Sequence, residues 1–186
     1  SISDDTADVI DLEGALLLPG CIDNQVHFRE PGLTHKGSIS TESRAALAGG
    51  ITTFMEQPNT NPQTVTFEAL QDKFDRAAKG SYVNYSFFFG GTNDNLELIK
   101  RLDINACAGI KLFLGSSTGN MLVDREETIR GIFSNTEMVI AAHCEDEATI
   151  RANTEAAIKQ YGEDIPIEMH PIIRSREACY KSSSRA

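Results

Sequence analysis

Short apolar runs alternate with helical stretches five times along this chain, and that alternation restricts the fold more than any other feature. Strands are expected at Ile22–Phe28, Thr52–Gln57, Tyr82–Phe89, Gly109–Leu114 and Met138–Ala142. Between them, Ser38 to Ala48 reads as a helix stopped by Gly49-Gly50, a C-cap signal. Phe67, Leu70, Phe74, Ala77 and Ala78 form one apolar stripe of a second helix. Asp94-x-x-Glu97 and Asp124-x-x-Glu127 each open a further helix with acid at the positive end of its dipole. Asp146 to Tyr161 is helical, and a last helix begins near Arg174. Strands and helices in strict alternation, joined by short connections, make a parallel α/β sheet. A closed (β/α)8 barrel needs eight units and about 250 residues. Five units in 186 residues suit either part of such a barrel or an open sheet.

Composition removes several functions. Seventeen Lys and Arg against 27 Asp and Glu leave a net charge of −10, which repels a phosphate backbone and argues against nucleic acid as a partner. No apolar run approaches the ~18–20 residues of a membrane span. The aspartate-rich N-terminus lacks the basic region of an export signal. Cys21, Cys107, Cys144 and Cys179 are widely spaced, so reduced thiols in the cytoplasm are expected rather than a disulfide framework.

Chemistry concentrates at strand ends. On a regular first strand Asp23, Gln25, His27 and Arg29 share one face, and Ile22, Val26 and Phe28 the other. Four polar groups on one face mark either a wet edge strand or a site at the strand's C-terminal end. Lys111 interrupts the apolar run of the fourth strand. Buried lysines are rare, and burial favours the free amine, which can add carbon dioxide to become a carbamate ligand. A lysine that snorkels out or pairs with a carboxylate is the alternative. His143, at the tip of the fifth strand, is placed either as a zinc ligand or as a hydrogen-bonded core histidine. His170 follows no strong strand signal and is read as a supporting residue, and His35 sits in a polar loop without an assigned role. Gly115-Ser116-Ser117-Thr118-Gly119 lacks the Walker lysine and is read as a loop over the mouth of the fold.

Taken together, four strings carry a resemblance. Gln25-Val26-His27-Phe28-Arg29-Glu30-Pro31-Gly32 resembles the dihydroorotase signature of the amidohydrolase superfamily, with Gln25 where the family carries the first histidine of His-x-His. Met55-Glu56-Gln57-Pro58-Asn59-Thr60-Asn61-Pro62, Gly109-Ile110-Lys111-Leu112-Phe113 and Ala142-His143-Cys144-Glu145-Asp146 resemble its second, fourth and fifth strand motifs in the same order.

The resemblance implies a partial (β/α)8 barrel of the metal-dependent amidohydrolase kind over residues 21–186. Residues 1–20 would end a small β-sandwich that precedes it. It implies zinc, one or two ions, held by His27, His143 and an N6-carboxylated Lys111. Arg29 and Asn59 would hold the substrate carboxylate, as a guanidinium fork suits that group. Gln25, a poor ligand beside imidazole, and His170 are candidates for a weakly held ligand or for support of the ligands. The implied reaction is the reversible cyclisation of N-carbamoyl-L-aspartate to L-dihydroorotate. The sixth-strand histidine and the general-base aspartate of the family would lie beyond residue 186, so the chain reads as cut and as inactive by itself. A homodimer fits the family. The rival readings are a metal-free scaffold protein and a hydantoinase-type enzyme acting on rings without the carboxylate.

Overall fold

The computed structural model describes residues 8, 10–115 and 120–186. Its five strands are β1 (Cys21–Val26), β2 (Ile51–Glu56), β3 (Asn84–Gly90), β4 (Gly109–Phe113) and β5 (Ile140–His143), all parallel and ordered 1-2-3-4-5 across the sheet. That order decides between the two architectures left open by the sequence. Right-handed crossovers that always step the same way place every helix on one face, as in a barrel; an open doubly wound sheet reverses its order at a switch point. The helices are α1 (Ile39–Ala48), α2 (Phe67–Gly80), α3 (Leu96–Ile99), α4 (Glu126–Ser134), α5 (Glu147–Tyr161), α6 (His170–Ile173) and α7 (Arg176–Arg185).

One continuous core lies between the sheet and this helical layer. Phe54, Phe87, Phe89, Ile110 and Leu112 point outward from the strands to meet Ile39, Leu70, Ala77, Ile99, Ile129 and Ile132 of the helices. Phe54 is fully buried, with ring centroids of Phe28 at 4.5 Å, Phe87 at 6.3 Å and Tyr85 at 6.4 Å. Because strand side chains alternate, Met55, Lys111, Phe113 and His143 turn to the opposite, concave face.

Helix ends follow local chemistry. Ser38 caps α1 in a capping box with Thr41, and the helix stops at Gly49, followed by Gly50 at φ +85°. Thr66, Asp146 and Ser175 cap α2, α5 and α7 through their side-chain oxygens. Two expected caps move. Asn95 and Arg125, not Asp94 and Asp124, occupy the cap positions of α3 and α4, and neither side chain bonds the first turn of its helix. Asp94 is engaged by Arg125, and Asp124 accepts from Asn93. α3 also ends at Ile99, short of Leu102. The buried stripe of α2 runs Leu70, Lys73, Ala77; Ala78 is exposed and a lysine lies inside.

The first strand departs most from expectation. Asp23 Oδ1 accepts the Gln25 backbone N–H at 3.0 Å, and the ladder with β2 slips between Asp23 and Val26. Such a bulge breaks the two-residue period. Asp23 therefore does not share a regular face with Gln25, and β1 ends at Val26, so His27 and Arg29 sit in the loop beyond it. Residues 10–20 form no strand, and Leu16, Leu17 and Leu18 are exposed. No described helix is long and apolar enough to cross a membrane.

Candidate metal and substrate site

The loops that follow β1 and β2 are tied together at the C-terminal edge of the sheet. Gln57 N–H donates to Val26 O at 2.9 Å, and Asn61 N–H donates to Pro31 O at 3.1 Å. Gly32 fits here because it has no Cβ: its φ is +81°, and a side chain would strike the Asn61 carbonyl. Between these ties, His27 Nδ1 lies 2.9 Å from Asn59 Oδ1. An amide oxygen only accepts, so Nδ1 carries the proton and Nε2 keeps its lone pair. Burial pushes the His27 pKa down, and the nearby positive charges of Arg29, Lys111 and Lys73 act in the same direction. The Asn59 bond opposes them. A neutral imidazole with a fixed tautomer is the form that binds a cation.

Lys111 is in the middle of β4, 4% exposed, opposite Gly90 of β3 and Ala141 of β5. Its Nζ lies 5.1 Å from the centre of the Phe113 ring. Burial lowers its pKa, weakly opposed by Cys144, and no carboxylate pairs with it among the described residues. His143 ends β5 opposite Phe113. Its Nε2 meets Glu145 Oε2 at 2.6 Å, and Arg174 Nε donates to Glu145 Oε1 at 2.8 Å. One ring nitrogen of His143 is thus engaged by a carboxylate that an arginine holds in place.

Arg29 is in the left-handed region, φ +73°. Its backbone N–H donates to Glu56 Oε1 at 3.0 Å. Glu56 Oε2 is 3.0 Å from Lys73 Nζ, both side chains are fully buried, and Lys73 also donates to Gln57 O at 2.9 Å. Burial raises the Glu56 carboxyl pKa and lowers the Lys73 ammonium pKa, and each is opposed by the charge of the other.

The remaining expected residues separate from this group. Gln25 is exposed on β1. His170 is exposed at the start of α6, an element that packs on α5, and it is not brought to the strand tips. His35 is exposed in the turn before α1. Ser116, Ser117, Thr118 and Gly119 lie outside the described residues. Among the described residues no three His, Cys, Asp or Glu side chains cluster to hold an ion. The donor chemistry fits: a neutral imidazole at His27, a desolvated amine at Lys111 able to lose its proton, and the imidazole of His143. Glu56, Lys73, Glu145 and Arg174 carried no signal of their own, except that Glu145 stands two residues past His143 at a strand tip.

Residues 14–163 match the dihydro-orotase-like family. The chain belongs to that family. It is 37% identical over 179 residues to a dihydroorotase of Methanosarcina acetivorans, covering 94% of this chain and 37% of that protein. It is 40% identical over 108 residues to an allantoinase of Streptomyces avermitilis, covering 58% of this chain and 24% of that protein. Among solved structures, an L-hydantoinase (dihydropyrimidinase) of Arthrobacter aurescens superimposes at a TM-score of 0.86 with 27% identity, covering all of this chain and 43% of that one. The chain thus spans little more than a third of the curated dihydroorotase length. The sheet is the corresponding part of a (β/α)8 barrel; the dihydroorotase-like strings around His27, Asn59 and His143 fall at or beside its C-terminal edge, and Lys111 stands in mid-strand.

Proposed function

We propose that the polypeptide carrying this chain is a zinc-dependent cytoplasmic dihydroorotase, interconverting N-carbamoyl-L-aspartate and L-dihydroorotate. The observation that carries this reading is the His27–Asn59 bond. It joins a candidate ligand from one loop to a candidate substrate residue from the next. With Asn59 Oδ1 turned to His27, its NH2 is the end that donates, and together with the Arg29 guanidinium it suits a carboxylate. His27 through Nε2, His143, and Lys111 after carboxylation would hold the metal. When bound, zinc supplies Lewis acidity toward the scissile carbonyl. Lys111 gains a bond from its nitrogen to the carbon of CO2 and loses a proton, becoming an anionic oxygen donor. His143 reaches an ion once Glu145 yields Nε2 or binds alongside it. These residues supply ligands and substrate contacts, and turnover draws its general base from elsewhere in the polypeptide.

Metal analysis together with a turnover assay of the full-length protein tests this. Zinc bound in proportion to protein, with consumption of N-carbamoyl-L-aspartate, is the expected result. A folded, metal-free protein without turnover refutes it. The likeness to the L-hydantoinase favours one rival, a ring opener for substrates without a carboxylate. Arg29→Met separates the two: it raises the KM for dihydroorotate steeply in the proposed reading and matters little in the other.

A further inference from the structure

We propose that Glu56 and Lys73, on the helix-facing side of the sheet, form a positioning clamp that sets Arg29 and Asn59 for their carboxylate ligand. This rests on the reading that those two residues hold the substrate. The ion pair is fully buried, with Lys73 Nζ 5.4 Å from the Phe87 ring centre. Taking two charges out of water costs several kcal/mol per ion, and a well-packed apolar pair would commonly serve stability as well or better. Stability alone therefore does not account for it.

Its hydrogen bonds show what it holds. Glu56 accepts the backbone N–H of Arg29, and Lys73 donates to the carbonyl of Gln57. Every one of these partners is loop backbone beside the strand tips. Arg29 needs such a partner, because a left-handed φ of +73° is unfavourable for a residue with a Cβ. Without the Glu56 acceptor its backbone can relax to the extended region, and the guanidinium then leaves from a different direction. Gln57 is two residues before Asn59, so the ammonium fixes the start of the segment that presents the second carboxylate holder. One ion pair, reached from behind the sheet, thereby sets the spacing of both groups. Neither clamp side chain faces the concave side, so neither touches substrate; both act through the loops.

The test uses the full-length protein and the paired substitution Glu56→Leu with Lys73→Met, which removes both charges and the acceptor oxygen together and leaves no uncompensated ion. Steady-state kinetics with dihydroorotate are measured for this variant, for Arg29→Met, and for the combination of all three. Exchange of the Arg29 backbone amide is followed alongside. The expected result is a KM raised roughly a hundredfold, the scale of an ångström-sized misplacement, with kcat little changed. Only a smaller further rise, through Asn59, is expected once Arg29→Met is present, and the Arg29 amide of the paired variant exchanges faster. An unchanged KM in a folded variant overturns the clamp, as does the same fold-loss with and without Arg29→Met, since independent effects multiply. If the paired variant fails to fold, Glu56→Ala alone is read by the same criteria. Absence of turnover in the unsubstituted protein refutes the functional reading instead. In that case unaltered Arg29 amide exchange in the variant still overturns the clamp.

Discussion

Replacing Lys111 with Met should reverse the order of stability of two proteins according to what is dissolved with them. Lys111 is 4% exposed, and burial lowers its ammonium pKa. Desolvating an ammonium in this way costs about 1–3 kcal/mol, and a thioether of similar length removes that cost. At pH 7, without zinc and carbon dioxide, Lys111→Met should therefore be more stable by about 1–2 kcal/mol. With a urea slope of about 2 kcal/mol/M, the midpoint rises by roughly 0.5–1 M. The advantage depends on pH. The folded lysine sheds its proton below the ordinary value of 10.5, so the unfolded chain binds more protons in between and wild-type stability rises with pH. The gap should be full at neutral pH and close as pH approaches 10.5. With zinc and bicarbonate present at about a hundred times the dissociation constant, the wild type gains about 2.7 kcal/mol and overtakes the variant. Urea melts of both full-length proteins in the two buffers decide the matter. A variant less stable than wild type in the ligand-free buffer, or equal stabilisation of both by zinc and bicarbonate, refutes the reasoning.

Asn59→Ala removes the bond that holds the His27 pKa up against burial, so NMR titration of the imidazole should show it falling further below the ordinary value. Phe54→Ala empties the centre of the aromatic cluster and should cost about 3–5 kcal/mol in denaturant melts. Gly32→Ala places a Cβ against the Asn61 carbonyl at a left-handed φ, and should lower the melting temperature while weakening substrate affinity through the loop after β2.

The architecture was legible wherever local chemistry decides it. The Gly49-Gly50 stop, the helix from Asp146 to Tyr161 and the alternation of strands and helices all read directly from the chain. Barrel as against open sheet was not legible, because strand order is a property of pairing and no local pattern carries it. Regular alternation failed on the first strand because Asp23 hydrogen-bonds its own neighbour's backbone and inserts a bulge. Lys73 of α2 carried no signal in the sequence and is buried, because its partner Glu56 arrives from β2, 17 residues earlier. Separation in sequence likewise hid Arg174 behind Glu145, 29 residues away. The sequence brought forward the residues able to meet a ligand and not those that hold them, since support is defined by contacts between distant segments.

The monotonic strand order has a consequence for handling the molecule. Among the described residues β1 pairs only with β2 and β5 only with β4, so each outermost strand presents a row of amide hydrogens and carbonyls along its far side. Such rows recruit any extended peptide that meets them. A preparation of these residues alone should therefore stick to itself as its concentration rises, and appending whatever polypeptide caps those two flanks should restore a well-behaved solution.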